Sequence, residues 1–430
     1  MARILFCSAV IGAVLCAGCL IDEFSPAGDS SDFESIPTDD ASLIAACENA
    51  VVEAASTSFG DPLPGLSTEL LARFEAGKEE FEEVETPADG LGPVFNAPSC
   101  VECHQQGATG GGGTVVETRF GTRGPDGRFD PLTLLGGSLQ QVQGITNGDC
   151  TQPPEVIPAA ADVVAQRQTT PLFGLGLLDE VSERLLRLLA DPGDANHDGI
   201  SGRLNVVISP DTQEPAIGRF GWKSQVASLF AFSGDAYVNE MGITNNLFPD
   251  ENAPQGNAAV CDDDIPAPEI DNEDLDGNGI SDGVEAFTDF MRLLAPPPVA
   301  GAATRAVFRG ARQFVQVGCA RCHQPALVTR RVPDVRALSR RRFHPFTDLL
   351  LHDMGGLADG IEQGEASARE MRTAPLWGLR ASAPYLHDGR AATILDAIMA
   401  HDGEGAQARE AFSRLSPEQR ADLLAFLGFI

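Results

Sequence analysis

The sequence predicts a mainly α-helical protein of two domains with long irregular insertions, and three observations predict this fold class. Two Cys-x-x-Cys-His motifs, Cys100 to His104 and Cys319 to His323, stand far apart in the chain. A helical period of apolar residues precedes each motif. The run Pro296-Pro297-Pro298 ends a helix between them and marks a domain boundary.

Each motif carries the residues that attach a haem covalently. Two thiols three residues apart can add to the vinyl groups of haem, and the adjacent histidine then binds the iron. A zinc ribbon would bring its Cys pairs much closer together, and neither zinc nor a thioredoxin-like dithiol explains a histidine after both pairs. We therefore expect two covalently bound c-type haems. Their ligands and attachment residues are Cys100, Cys103, His104, Cys319, Cys322 and His323.

Length and charge limit the function classes. A chain of 430 residues with 43% hydrophobic residues can form two or three ordinary cores. Its 62 acidic and 30 basic residues give a formal net charge of −32. Such a charge repels nucleic acid and anionic membranes and suits small neutral substrates or basic protein partners. We therefore expect no nucleic-acid ligand.

The N-terminus resembles the leader of an exported bacterial lipoprotein. A long apolar run, residues 4–21, contains Leu15-Cys16-Ala17-Gly18-Cys19, and the cysteine after Ala-Gly is the one that such leaders lipidate. We expect residues 1–19 to be the signal peptide and residues 20–60 to be an acidic flexible tether. Cys16 stands where the motif usually has leucine, so ordinary cleavage or retention as an anchor stays open. The expected location is the periplasm or cell envelope, with lipid on Cys19 as the membrane contact.

The rest of the chain is expected to form two domains, residues 61–298 and residues 299–430. The second begins with a helix that runs into the second motif and ends with a helix that opens at Ser416-Pro417-Glu418-Gln419, a capping sequence. A first helix that leads to Cys-x-x-Cys-His and a last helix that crosses it is the plan of cytochrome c. We therefore expect a cytochrome c-like domain around each haem.

Three cysteines remain once the leader, the lipid site and the haem motifs are assigned: Cys47, Cys150 and Cys261. An oxidising compartment permits one disulfide among them, with three possible pairings. We favour Cys150 with Cys261, because Cys47 borders the leader.

Two acidic loops have the pattern of calcium ligation. The first offers Asp274, Asp276, Asn278, the carbonyl of Ile280, Asp282 and Glu285. The second begins in the same way with Asp194, Asn196 and Asp198 but lacks the final carboxylate, so a ligand from elsewhere or a simple Asx turn is its alternative. We expect calcium at the first loop, against the alternative of a solvated acidic turn.

Several side chains compete for the far side of the second haem iron: His344, His352, Met354, His387, Met399 and His401. His401 follows Ile394 and Ile398 at helical spacing, so it projects from an apolar face where an imidazole is costly to bury without a partner. We prefer His401, with Met354 next. No histidine follows His104 closely, so the first iron is expected to stay open or to be closed weakly by a distant group such as Met241.

A run of arginines follows the second motif in this acidic chain: Arg330, Arg331, Arg336, Arg340, Arg341 and Arg342. We expect a solvated or haem-propionate-binding face. The alternative is a docking site for an acidic redox partner.

The whole pattern resembles a family of bacterial di-haem c-type oxidoreductases, called di-haem peroxidases or thiol oxidoreductases and distantly similar to di-haem cytochrome c peroxidases and MauG. The resemblance extends over residues 66–430. The matching stretches are Gly90-Leu91-Gly92-Pro93, residues 170–176, residues 218–223, residues 240–244, residues 348–355 and residues 385–390. Haem attachment consumes the Cys pairs, so we expect no dithiol chemistry.

The resemblance implies one haem that stores electrons and one that reacts with peroxide, with calcium near the domain interface. It also implies an aromatic side chain between the haems and a Glu and a Gln in the reactive pocket. Trp222 is similar in position to the bridging tryptophan and Glu240 to the acid, whereas Gln225 matches less well because its spacing differs. A core role for Trp222, and a surface or calcium-binding role for Glu240, are the alternatives.

The implied function is the reduction of hydrogen peroxide at the first haem, with Glu240 as acid–base group and a small redox protein as electron donor. Two alternatives stay open. One is an electron carrier without peroxide chemistry, and the other is a MauG-like enzyme that oxidises a partner protein.

Overall fold

A computed structural model of the protein describes residues 36–52, 57–261 and 282–430. Helices account for 34% and strands for 15% of the structure, so the prediction of a mainly α protein is confirmed only in part. Two predicted features lie outside these residues: the lipid site Cys19, and most of the first acidic loop with Asp274, Asp276, Asn278 and Ile280.

The described helices are α1 (Asp40–Val52), α2 (Thr68–Glu82), α3 (Leu175–Asp179), α4 (Glu183–Leu189), α5 (Leu229–Ala236), α6 (Asp282–Leu293), α7 (Arg305–Gln316), α8 (Ile394–Ala400), α9 (Ala406–Ser413) and α10 (Pro417–Leu427). The strands are β1 (Val94–Phe95), β2 (Val116–Arg123), β3 (Phe129–Asp130), β4 (Leu139–Gln140), β5 (Gln143–Gly144), β6 (Thr146–Asn147), β7 (Cys150–Thr151), β8 (Val163–Gln168), β9 (Val206–Ile208), β10 (Pro215–Ile217), β11 (Leu327–Val328), β12 (Arg342–Phe343), β13 (Leu351–Asp353) and β14 (Glu370–Arg372). A π-helical turn, Tyr237–Met241, follows α5 directly.

Helices α2 and α6 form the centre of the N-terminal core. The rings of Phe81 and Phe290 lie 4.8 Å apart between them. A Cβ at Gly77 would come within 2.2 Å of the Ala286 carbonyl oxygen, so the close approach of the two helices requires glycine there. The hydroxyl of Ser67 caps α2 by accepting from the backbone N–H of Leu70 at 3.2 Å. The helix predicted after Ser67 is confirmed.

A small antiparallel sheet lies within residues 116–168, although the sequence predicts irregular structure with one hairpin over residues 114–158. Strand β2 lies between β3 and β4 and also pairs with β8. In the β2–β8 register Glu117 stands opposite Arg167 and Arg119 opposite Ala165. Strand β2 is rich in polar and charged residues, and strand formation depends strongly on such tertiary context. The sheet was therefore not predictable from the pattern.

The C-terminal core is built on the crossing of α7 and α10. A Cβ at Gly310 would come within 2.0 Å of the Asp422 carbonyl oxygen, and the rings of Phe314 and Phe426 pack 5.4 Å apart. Ser416 and Gln419 form the predicted capping box at the start of α10. The predicted crossing of the first and last helices of this domain is confirmed.

Helix α1 corrects the prediction of a flexible tether over residues 20–60. It packs against α7 with Leu43 and Cys47 buried in the C-terminal core, and Glu48 pairs with Arg312 at 2.8 Å. The tether prediction is therefore wrong for residues 40–52. The acidic residues that predicted a tether lie mostly before α1, which itself has only Asp40 and Glu48 and buries Leu43, Ala46, Cys47, Ala50 and Val51.

The predicted boundary at residues 298 and 299 does not separate two independent cores. Residues 296–298 do connect α6 to α7, but the segment after the second motif returns to the first domain, where Leu327, Leu338 and Phe343 join the N-terminal core. The predicted C-terminal domain therefore contributes residues to the N-terminal core.

Cys150 and Cys261 form a disulfide, with their Cα atoms 5.5 Å apart. The favoured pairing is thus confirmed, and Cys47 is left buried as a free thiol. Over the described ranges, no helix combines the length and apolar character needed to cross a membrane.

Candidate functional site

The second Cys-x-x-Cys-His motif borders a cavity of about 280 Å³. Helix α7 ends two residues before Gly318, whose φ of +96° turns the chain so that Cys319, Cys322 and His323 face this cavity. Nδ1 of His323 donates to the Phe346 carbonyl oxygen at 3.1 Å, which leaves Nε2 for a metal. Burial lowers the pKa of His323 to about 4, so the imidazole is neutral, as a metal ligand must be.

His401 lies opposite His323, with 6.4 Å between the ring centres. It follows α8, and its Nδ1 donates to the Ala397 carbonyl oxygen at 2.8 Å, so its Nε2 is also left for a metal. Two metal–imidazole bonds of about 2 Å each can be accommodated between rings at this separation. The residues around the second motif therefore fit a haem iron held by two histidines.

Met354, our second choice for the same position, is close to His401. A Cβ at Gly405 would lie 3.1 Å from the His401 ring and 3.3 Å from the Met354 methyl group. Met354 lines the cavity, but it is His401 whose ring faces His323. The geometry thus favours His401 as the ligand and Met354 as its packing neighbour.

The other histidines considered for this position have different partners. His352 places one ring nitrogen 3.0 Å from Asp348 and the other 2.7 Å from Glu404, so neither nitrogen is left for iron. His344 donates to the Pro325 carbonyl oxygen at 2.9 Å but does not line the cavity, so its location disfavours it as the partner of His323. The two carboxylate contacts of His352 favour a positioning role.

The first motif orients its histidine in the same way as the second. Nδ1 of His104 donates to the Gly111 carbonyl oxygen at 3.0 Å, and Phe81 packs edge-on against the ring at 5.9 Å. Burial lowers the pKa of His104 to about 4, so this imidazole is neutral as well. The residues of the first motif therefore also fit a haem, with Nε2 of His104 toward the iron.

The glycine-rich loop after the first motif packs against the motif's own backbone. A Cβ at Gly111 would lie 2.0 Å from the Gln106 carbonyl oxygen, and one at Gly113 would lie 2.0 Å from that of Cys103. Glycine is therefore required at both positions for the close contact that brings the Gly111 carbonyl to His104.

The two motifs differ in what faces their histidines. All seven histidines of the chain lie in the described residues. Apart from His104, His323 and His401, four remain; His344 and His352 have the contacts given above. His387 packs against Trp222 beside the second motif's cavity, and His197 belongs to the second acidic loop. The first motif thus has no counterpart of His401.

Glu240 lies beside the first motif on the π-helical turn, an element that is frequent at functional sites. Its neighbour Met241 places Sδ 3.8 Å from Sγ of Cys100. Burial and then the charge of Glu240 raise the pKa of the Cys103 thiol to about 11, so the carboxyl group lies close to this cysteine as well. The amide of Asn96 donates to Oε2 of Glu240 at 2.8 Å.

Glu240 is part of a charged cluster with Glu117, Arg119 and Asp235. The guanidinium of Arg119 donates to both carboxylate oxygens of Glu117 at 3.1 Å. Burial and then the charge of Glu117 raise the pKa of Glu240 to about 7, while Asn96 and Arg119 oppose this rise. A carboxyl group with such a pKa can accept and return a proton near neutral pH.

No sequence motif marks Glu117 and Arg119 as site residues. They stand two apart on β2 and therefore point to the same face of the strand. That spacing was the only signal, and it is equally typical of a solvated strand.

Trp222 lines the second motif's cavity and is bonded to the backbone at the end of β8. Its indole N–H donates to the Gln168 carbonyl oxygen at 2.9 Å, and its ring meets His387 edge-on at 6.2 Å beside the second motif's cavity. Thr169 follows Gln168, and its carbonyl oxygen accepts from the backbone N–H of Gly113 at 3.4 Å. Gly113 belongs to the loop after the first motif. The end of β8 therefore connects Trp222 to both motifs.

Gln225, the weakest of the predicted catalytic residues, folds over its own turn. Its Oε1 accepts from the backbone N–H of Lys223 at 3.1 Å, and its side chain covers Gly221. These contacts stabilise the turn that presents Trp222, and they favour a positioning role.

The second acidic loop is a hydrogen-bonded turn that contacts the second motif. The Asp194 carboxylate accepts from the backbone N–H of Asp198 at 2.9 Å, and Asn196 accepts from the same N–H at 2.9 Å. Asp198 pairs with Arg321, inside the motif, at 3.2 Å. This is the Asx-turn alternative. Within the described residues, no group of three or more His, Cys, Asp or Glu side chains is placed to hold a metal ion.

The first acidic loop keeps its calcium site as a prediction. Only Asp282 and Glu285 lie in the described residues, both in the first turn of α6. The predicted helix after the loop is confirmed, with Val284, Phe287 and Met291 buried.

A family model described as "Di-haem oxidoreductase, putative peroxidase" matches residues 159–430. The chain belongs to this family of di-haem oxidoreductases. The matched residues of the di-haem oxidoreductase include the second motif, His401, Trp222 and Glu240, and the first motif precedes them. The resemblance stated from the sequence is thereby confirmed, and haem is the cofactor that the family implies.

No curated protein matches the sequence of this di-haem oxidoreductase. One similar solved structure is hydrazine synthase of Kuenenia stuttgartiensis pressurised with xenon, at 16% identity over 98% of this chain and 100% of that chain, with a TM-score of 0.39. Another is a MauG-like protein associated with microbial copper homeostasis, at 17% identity over 87% of this chain and 93% of that chain, with a TM-score of 0.37.

Proposed function

We propose that this di-haem oxidoreductase reduces hydrogen peroxide with electrons from a small redox protein. The observation that carries the proposal is the difference between the motifs: His323 faces His401, whereas His104 has no facing histidine and lies on the side of the molecule where Glu240 is found. When bound, the two haems supply the stored electrons and, at the first motif, an open iron position for peroxide. The second motif then suits electron storage and the first suits reaction.

Glu240 is the acid–base group of this proposal. Reduction of one hydrogen peroxide to two waters consumes two electrons and two protons, and cleavage of the O–O bond needs a proton moved from one oxygen to the other. A carboxyl group with a pKa near 7 can accept that proton and return it. Asn96 fixes one carboxyl oxygen, and the cation of Arg119 stabilises the ionised form.

Trp222 is the proposed connection between the two halves of the reaction. It lines the cavity of the second motif, and its indole N–H is bonded to the backbone segment that also contacts the first motif's loop. The hydrogen bond to Gln168 and the packing of His387 hold the indole in one orientation.

We also propose that the protein is exported and carries lipid on Cys19. The Cys150–Cys261 disulfide supports an oxidising compartment, such as the periplasm. Metabolic labelling with a fatty acid should mark the wild-type protein and not Cys19→Ser. Continued labelling of that variant would exclude Cys19.

Visible and EPR spectra of the purified holoprotein, with and without peroxide, test the proposed reaction. We expect one low-spin signal from the iron with two imidazoles, one high-spin signal that peroxide changes, and turnover of peroxide with a reduced small redox protein. Two low-spin irons that peroxide leaves unchanged would make the protein an electron carrier. Oxidation of a protein partner without peroxide-dependent turnover of the donor would favour the MauG-like alternative.

A further inference from the structure

A buried arginine lines the second motif's cavity without a carboxylate partner. Arg372, the last residue of β14, is 9% exposed, and its Nε donates to the Gly221 carbonyl oxygen at 2.7 Å. A second nitrogen donates weakly to the Thr373 carbonyl oxygen at 3.4 Å. Among residues 36–52, 57–261 and 282–430, no Asp or Glu lies within ion-pair distance of this guanidinium. Burial lowers its pKa to about 10, opposed only by the charge of Asp348.

The cations next to Arg372 do not lack a partner in this way. Arg167 and Lys223 are both buried and share the carboxylate of Asp359, at 2.7 Å and 3.0 Å. The backbone N–H of Arg372 donates to the backbone carbonyl oxygen of Trp222, the residue before Lys223, at 2.9 Å. The Asp359 carboxylate thus pairs with both Arg167 and Lys223 and is not shared with Arg372. Burying a charge without a partner is costly, so an anion is expected in the cavity.

We propose that Arg372 binds a propionate carboxylate of the haem attached to Cys319 and Cys322. The inference rests on the proposed presence of that haem. A guanidinium presents a planar fork that matches a carboxylate, and Gly221 occupies only the Nε side of this fork. The remaining N–H groups belong to a side chain that lines the cavity.

The arginines at residues 330–342, which the sequence suggested for the propionates, do not line this cavity. Arg330 pairs with Glu180 at 2.8 Å and is 61% exposed at its side chain. Arg331, Arg336 and Arg341 are exposed as well. The propionate contact is therefore assigned to the buried Arg372 and not to the exposed arginines of residues 330–342.

Arg372 affects the redox behaviour of the second haem in two ways. Its positive charge disfavours the ferric state, and its pairing keeps the propionate ionised. In Arg372→Gln the low-spin haem should have a lower midpoint potential. That potential should also become pH-dependent near neutrality, because a buried carboxylate that loses its cation has a raised pKa.

Spectroscopic redox titration of the holoprotein at several pH values is the test. We expect a downward shift of the low-spin haem in Arg372→Gln, a smaller shift in Arg372→Lys, which keeps the charge, and an unchanged high-spin haem. The control is Arg369→Gln, which removes an arginine that is 63% exposed and pairs with Asp353. It should leave both potentials unchanged.

Two measurements keep this inference separate from the proposed function. Haem content and mass spectrometry of the Cys319 peptide show whether the second haem is attached. Its absence in the wild type would overturn both proposals. An attached haem whose potential is the same in wild type and Arg372→Gln at every pH would overturn the Arg372 assignment alone. If Arg372→Gln does not fold, Arg372→Lys decides through its smaller downward shift, and an unchanged potential in that variant overturns the assignment.

Discussion

The imidazoles of His323 and His401 face each other with ring centres 6.4 Å apart, and each donates from Nδ1 to a backbone carbonyl oxygen. The backbone bonds fix both tautomers, so each ring keeps Nε2 for a metal. This relationship joins two segments far apart in the chain: the motif after α7 and the end of α8. The second motif therefore has two imidazoles placed to bind one metal, whereas no second histidine of the described residues faces His104.

Removing His401 should open the second iron. In His401→Ala we expect the low-spin signal to be lost while both haems stay attached through their cysteines. In His401→Met the signal should stay low-spin and the midpoint potential should rise, because methionine ligation raises haem potentials. EPR spectra and redox titration measure both effects. His344→Ala is the control, and a low-spin signal that persists in His401→Ala would exclude His401 as the ligand.

Loss of the Glu240 carboxyl group should stop peroxide turnover without removing either haem. General acid–base catalysis contributes about 10²- to 10⁴-fold in rate, so Glu240→Gln should be slower by at least about 10²-fold. Stopped-flow mixing with peroxide measures the rate, and visible spectra check the haems. Glu102→Gln is the matched control, because Glu102 is an exposed carboxyl group inside the first motif. Wild-type turnover by Glu240→Gln would refute its catalytic role.

The sequence predicted those parts of the site that local patterns specify. The haem motifs have fixed spacing, and His401 was identifiable as one polar residue on an apolar helical face. Arg372 was not identifiable from the sequence. It is distinguished by having no carboxylate partner among the described residues of the second motif's cavity, and segments far apart in the chain form that cavity. Helix α1 was missed for a related reason: its apolar residues are mostly small, so only the surface of α7 shows that they form a packing face.

The first acidic loop should hold a structural calcium ion. Metal that binds only the folded state stabilises it by mass action, so a chelator should lower the melting temperature of the wild-type protein. The effect should be smaller in Glu285→Gln, which loses the last carboxylate ligand of the loop. Thermal unfolding followed by circular dichroism, with calcium added back as the control, measures this. Equal sensitivity to chelator in both proteins would remove the site.

The charge of Glu117 should set the pH at which Glu240 works. Glu240 has a pKa of about 7, raised by burial and then by Glu117, so it is protonated below that pH and ionised above it. If the ionised form accepts the proton from peroxide, the rate rises with pH through about 7 in the wild type. In Glu117→Gln the like charge is gone, and its loss lowers the pKa of Glu240, while the cation of Arg119 stays and continues to favour the ionised form.

The rising limb of the pH–rate profile should therefore move to lower pH in Glu117→Gln and disappear in Glu240→Gln. Asp235→Asn should move it in the same direction by a smaller amount, because the charge of Asp235 is the last of the contributions that raise the pKa of Glu240. Peroxide turnover measured from pH 5 to pH 9 (about two units on either side of neutrality) gives the profiles of the wild type and the three variants. A limb at the same pH in wild type and Glu117→Gln would show that another group carries the proton.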